Sequence, residues 1–118
     1  MDDKTVNALD NLMEKEGVMG SALITRDGGV LIADLPSGIH SETFAIMCAT
    51  IFGAAHTINS DLEIGSPESV SVNAQKGKFI IAKAGRKELL AVVVDDDSEL
   101  SDFNDVIEEA IDLIKEGL

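Results

Sequence analysis

Ser41-Glu42-Thr43-Phe44-Ala45-Ile46-Met47-Cys48-Ala49-Thr50-Ile51-Phe52-Gly53-Ala54-Ala55-His56-Thr57-Ile58-Asn59-Ser60-Asp61-Leu62 is the stretch on which the fold turns. It has no proline, and its apolar residues recur at helical spacing. Ser41 is read as the N-cap, its hydroxyl accepting from a free backbone N–H, and Glu42 suits the positive end of the helix dipole. At about 100° per residue, Phe44, Met47, Cys48, Ile51, Ala54, Ala55, Ile58 and Leu62 share one face, which is expected to cover a sheet. Ala45, Ala49, Phe52, Gly53 and His56 share a second face, and Thr43, Thr50, Thr57 and Asp61 leave only a narrow polar stripe. A helix on the surface of a monomer needs one apolar face. The second predicts another partner, and its small residues predict close approach by a second helix. The alternative is that Ala and Gly there simply form a mildly polar exposed face.

Outward from this helix, the chain punctuates clearly. Asp3 to Glu16 reads as a helix with Val6, Leu9, Leu12 and Met13 inward and Gly17 as its stop. Met19–Thr25 and Val30–Asp34 read as strands joined by Arg26-Asp27-Gly28-Gly29, a hairpin turn in which glycine supplies positive φ. That Gly pair is no phosphate loop, because it lacks the GxxxxGK pattern and joins two strands. Leu35-Pro36-Ser37-Gly38-Ile39-His40 leads into the long helix, and Ile64 to Glu68 leads out of it. Ser69 to Ala74 alternates, with Val70, Val72 and Ala74 on one side and Ser69, Ser71 and Asn73 on the other, as a half-buried strand does. Lys78–Lys83 and Leu89–Val94 are apolar runs suited to strands covered on both faces. A last helix begins within Ser98 to Ser101 and ends at Glu116, with Leu100, Phe103, Ile107, Ala110, Ile111 and Ile114 inward. Asp95, Asp96, Asp97, Glu99 and Asp102 crowd its expected start, where the dipole favours anions.

The order helix, hairpin, long helix, three-strand meander, helix predicts one α+β domain over residues 1–118. Its core is a five-stranded antiparallel sheet with the long helix on one face and the terminal helices on the other. Burying an apolar side chain is worth roughly 1.5–3 kcal/mol, so covering both faces dominates. Ser69–Ala74, polar at alternate positions, is placed at the edge. No Lys or Pro interrupts it, so its backbone row can pair with a second copy.

Composition narrows function. The 118 residues carry a net charge of -13 with 45% hydrophobic content, which fits a folded domain that repels nucleic acid and anionic lipid. Four Phe and no Trp or Tyr leave no aromatic platform for bases. The single cysteine, Cys48, forbids an internal disulfide and reads as a small buried hydrophobe. The start, Met1-Asp2-Asp3-Lys4, is acidic and has no apolar signal segment, and the long helix is interrupted by Thr50, His56 and Thr57, so a cytoplasmic location without a membrane span is expected. No catalytic constellation emerges. There is no GxSxG elbow, His40 and His56 stand alone, the Asp95–Asp97 run lacks EF-hand spacing, and Arg86 reads as a solvated turn charge before it reads as an arginine finger. No catalytic residue, metal site or cofactor is expected.

Met19-Gly20-Ser21-Ala22 leading into Asp27-Gly28-Gly29, the Ala-rich second helix and the acidic turn into the last helix resemble the roadblock / dynein light chain family over nearly the whole chain. The resemblance implies a profilin-like sandwich of order α-β-β-α-β-β-β-α. It also implies homodimers with joined edge strands and packed second helices, and partnership with Ras-like small GTPases or motor intermediate chains. It brings no shared catalytic residues. The expected function is a non-enzymatic homodimeric adaptor or regulator of a Ras-like small GTPase. The alternative is a small-molecule-sensing module of related profilin-like or PAS-like architecture. The expected dimer interface comprises Ala45, Ala49, Phe52, Gly53 and His56 on the helix and Ser69, Ser71 and Asn73 on the edge strand.

Overall fold

The computed structural model describes residues 3–118; Met1 and Asp2, part of the acidic start noted above, lie outside them. Helix α1 (Asp3–Glu14) buries Thr5, Ala8, Leu9 and Leu12, while Val6, expected inward, is 38% exposed. The chain then reverses at Gly17, whose φ of 97° only glycine adopts at low cost. Strands β1 (Val18–Thr25) and β2 (Val30–Asp34) form the expected hairpin. Gly28, at φ 97°, turns it, and the Thr25 hydroxyl accepts from the Gly29 N–H at 2.8 Å and donates to Asp27. A side chain at Gly28 would press on Ile46, so the turn packs closely against the start of the next helix.

Helix α2 (Ser41–Leu62) has the expected limits. Its capping differs: the first carbonyl used is that of His40, which accepts from the Phe44 N–H at 3.0 Å. His40 therefore holds the cap position with extended backbone and no side-chain cap bond, and Ser41 already lies inside the helix. Glu63, left-handed at φ 57°, ends it. Strands β3 (Ser69–Ala74), β4 (Gly77–Lys83) and β5 (Glu88–Asp95) follow as a meander. A 3-10 turn (Leu100–Phe103) then leads into α3 (Asn104–Gly117). The Asp95–Asp97 run thus belongs to the end of β5 and its turn, one 3-10 segment away from the helix terminus it was expected to charge.

All five strands form one antiparallel sheet of order β2-β1-β5-β4-β3, so β3 lies at the edge as its alternation predicts. One face packs Leu23, Leu90, Val92 and Val94 against Ala8, Leu12, Phe103, Ile107 and Ile114 of α1, the 3-10 turn and α3. The other packs Ala22, Ile24, Ile81, Leu89 and Ala91 against Ala45, Cys48 and Phe52 of α2. The fold class is therefore the expected α+β sandwich with helices on both faces. Among the described residues, no helix is long and apolar enough to cross a membrane.

Candidate protein interface

Helix α2 meets the sheet through a different arc from the one its periodicity suggested. Ala45 and Phe52, expected on the outward face, are 0% and 1% exposed, so neither is available to a partner. The helix is rolled so that Ala45, Cys48 and Phe52 face the sheet. Two of these are small and let the helix settle on Ala22 and Ala91, while Phe52 supplies the largest buried ring on that side. The roll costs the burial of Met47, Ile58 and Leu62, expected inward, which are instead 56%, 58% and 62% exposed. Ile46 is also exposed, and beyond the helix so is Ile64. Of the other expected interface residues on α2, Ala49 is half-buried and Gly53 and His56 are exposed.

The outward surface of α2 is consequently more apolar than the sequence suggested. Ile46, Met47, Gly53, Ala54 and Ile58 flank Thr50 and Thr57 on the exposed side. The two threonines do not make this strip polar. Their hydroxyls donate to carbonyls one turn back, Thr50 to Ile46 O at 2.8 Å and Thr57 to Gly53 O at 3.2 Å, which satisfies the donors within the helix. Gly53 interrupts the strip with a notch, since a Cβ there would meet nothing within 4 Å. Glycine in the middle of a helix costs roughly 0.5–1 kcal/mol relative to alanine, and no packing among the described residues accounts for it.

The second element is the edge of the sheet. Ser69, Ser71 and Asn73 are exposed and stand opposite Ala82, Ile80 and Lys78 of β4. Directly opposed residues of an antiparallel pair share a face; Ile80 packs with the α1/α3 core, so these three polar side chains lie on that face. Val70, opposite Ile81, packs with the α2 core. Among the described residues, the outer edge of β3 pairs with no strand. It carries no charge or proline, whereas β2 at the other edge is short, ends in Asp34 and is followed by Leu35-Pro36. Of the two edges, β3 is the less guarded.

Titratable groups offer little chemistry. Burial among apolar neighbours pushes the Cys48 thiol from 9.0 up to about 11, so it is a poor nucleophile at neutral pH. The Asp27 carboxyl lies below its ordinary value, chiefly because the Thr25 hydroxyl donates to it. Among the described residues no group of three or more His, Cys, Asp or Glu is placed to hold a metal ion. Arg26, on the hairpin turn, folds back onto α2. It is half-buried, with its guanidinium over the Phe52 ring at 5.3 Å, a cation–π seat that sequence spacing does not reveal. Arg86 is exposed on its turn.

Residues 4–94 match the model of the Roadblock/LC7 domain. The chain belongs to the Roadblock/LC7 domain family. The uncharacterized protein MJ0310 of Methanocaldococcus jannaschii is 29% identical over 104 residues, covering 88% of this chain and 90% of that protein. The fold is that of Myxococcus xanthus MglB, with a TM-score of 0.90 at 16% identity over 97% of this chain and 94% of that one. A solved MglB with tetrameric arrangement gives a TM-score of 0.86 at 20% identity, covering 98% and 91%. Acanthamoeba castellanii profilin II gives 0.68 at 22% identity, covering 95% and 98%, which marks the sandwich as profilin-like.

Proposed function

We propose that this Roadblock/LC7 chain is a non-enzymatic homodimeric adaptor that binds and regulates a Ras-like small GTPase. The observation that carries the dimer is the exposed apolar strip of α2, with its Gly53 notch, in a chain that also leaves the β3 edge unpaired. In the proposed dimer, two β3 strands pair antiparallel across a two-fold axis and the two α2 helices pack side by side at Gly53. Gly53, His56, Ser69, Ser71 and Asn73 keep their expected place in it, with Ala49 at its margin. Ile46, Met47, Ala54 and Ile58 join them.

Magnitudes favour this reading. Completing the burial of a half-exposed large apolar side chain contributes about 1 kcal/mol. Summed over both protomers, the strip reaches the order of the roughly 4–15 kcal/mol that association costs. Backbone hydrogen bonds between edge strands then add register. The MglB neighbour with tetrameric arrangement supports self-association on this fold. The GTPase partner rests on membership of the roadblock family, and the absence of catalysis on a site made of packing surfaces and one unreactive thiol. A sensor would enclose its ligand, whereas the groove between α3 and the outer strands is open to solvent.

The test is calorimetry of the protein against small GTPases from the same genome, each loaded with GDP or a GTP analogue. One of them is expected to bind in one nucleotide state, with two chains of this protein in the complex. Failure of all to bind in either state, together with thermal stabilisation by a metabolite, would replace the adaptor with the sensor.

A further inference from the structure

The β1–β2 turn carries an Asp-Gly peptide bond, Asp27-Gly28, with Asp27 exposed. Glycine has no Cβ to shield its own nitrogen. In a free chain the Gly28 nitrogen can therefore attack the Asp27 side-chain carboxyl carbon when that carboxyl is protonated. An N–C bond forms, a C–O bond breaks, and the carboxyl hydroxyl leaves as water with the amide proton. Water then opens the five-membered imide. Attack at the main-chain carbonyl breaks its bond to the Gly28 nitrogen and leaves isoaspartate, equal in mass and with one extra carbon in the backbone.

The folded turn withholds both reacting groups. The Gly28 N–H donates to Thr25 O at 2.9 Å, and the Thr25 N–H donates to Gly29 O at 2.8 Å. Gly28 takes φ 97°, and among the described residues Glu63 is the only non-glycine at positive φ. Arg26 and Asp27 are therefore at negative φ. With the Gly28–Thr25 bond this makes a type I turn closed by a left-handed glycine. Such a turn sets ψ near 0° at its third residue, here Asp27, whereas imide closure needs extended backbone there. The carboxylate is held as well. It accepts from the Thr25 hydroxyl, which itself accepts from the Gly29 N–H at 2.8 Å. That bond, with the Gly29 and Asp27 N–H groups and the Lys87 charge, keeps the carboxyl below its ordinary value and so in the unreactive anion. Lys87 is brought close because the Arg26 N–H donates to its carbonyl at 2.8 Å.

We propose that Asp27-Gly28 is a latent isomerisation site that Thr25 keeps closed, and that its opening unseats α2. Thr25 acts through all three of its polar groups. Its N–H and carbonyl fix the turn, and its hydroxyl spans Asp27 and Gly29. What the turn protects is the seat of the long helix. A Cβ at Gly28 would lie 3.2 Å from Ile46 Cγ1 and 3.4 Å from Ile46 Cα. Arg26, on the other side of Asp27, stacks on Phe52. One extra backbone carbon between these two contacts displaces at least one of them. The inference concerns one turn of one chain, so it depends neither on the dimer nor on the GTPase.

The test incubates the parent, Thr25→Val and Thr25→Ser for weeks at physiological temperature and neutral pH. Isoaspartate at position 27 is then quantified by electron-transfer fragmentation mass spectrometry. Valine keeps the branched shape and loses the hydroxyl, whereas serine keeps the hydroxyl. Slow conversion is expected in the parent and in Thr25→Ser. Conversion roughly tenfold faster is expected in Thr25→Val, as loss of one hydrogen bond to a charged group implies. The converted Thr25→Val chain is expected to unfold at lower urea than the fresh one. Deamidation at Asn59-Ser60, inside α2, reports general unfolding and is expected to be equal in all three proteins. Equal conversion in the parent and Thr25→Val, or a rise at position 27 matched by a rise at Asn59, overturns the proposal. So does a parent that converts as fast as the free peptide Leu23–Ile32, or a converted chain with the urea midpoint of the fresh one.

Discussion

Phe52 shows how one side chain divides the fold from the interface. Expected on a partner-seeking face, it lies at 1% exposure under Arg26, so truncation acts on folding itself. Phe52→Ala is expected to lower stability by about 3–5 kcal/mol, read as a shift of the urea midpoint at unchanged slope. Cys48 behaves likewise as a core residue. Its thiol ionises near pH 9.0 when unfolded but only near 11 when folded. Between these values the unfolded chain has lost the proton that the folded chain keeps, so stability should fall as pH rises above about 9. In urea titrations at pH 8 and pH 10, Cys48→Ala should show a smaller fall than the parent. The burial of Cys48 was legible in the sequence, because a lone cysteine amid apolar residues has little else to do. The seat of Arg26 on Phe52 was not, because it joins a turn to a helix 26 positions away and no local spacing encodes it.

At the scale of elements, the limits of α2 could be read to within a residue, the N-cap falling on His40 in place of Ser41 and Glu63 closing the helical period. Its roll could not. A helix apolar over most of its circumference leaves the period without a preferred arc, and the choice falls to the sheet, whose Ala22 and Ala91 accept Ala45 and Cys48 at close range. In α1 the buried arc is Thr5, Ala8, Leu9 and Leu12, and Val6 lies at its rim. The alternation of β3, by contrast, has period two and a polar half, which fixed both its edge position and its faces. The open space at Gly53 separates fold from association. Gly53→Ala should stabilise the isolated protomer by about 0.5–1 kcal/mol, whereas Gly53→Arg should leave it folded but block close helix contact. Ser71→Pro on β3 should also weaken self-association. If the edge contributes no pairing, size-exclusion elution of Ser71→Pro will match the parent.

The whole molecule joins an acidic body to an apolar strip along the outer side of α2. Its net charge of -13 predicts that a GTPase partner presents a basic patch, and that the association rate falls steeply as salt is raised from 50 to 500 mM, measured by stopped flow. Burial in the strip is apolar, so self-association should hold over the same range. Order of elements, the edge place of β3 and family are legible in the amino-acid sequence, because they rest on turns, periods and apolar runs. The β1–β5 pairing that joins hairpin to meander, by contrast, is a long-range contact that no local signal encodes. The surface that seeks a partner is legible there only in part, because it is whatever the core leaves over, and the core is a tertiary choice. The central claim is that this leftover strip makes the protein a dimer, and light scattering coupled to size exclusion at micromolar concentration tests it most directly. The mass of two chains is expected for the parent, and of one folded chain for Gly53→Arg. A parent that elutes with the mass of a single chain, or a Gly53→Arg variant that still weighs two, would contradict it.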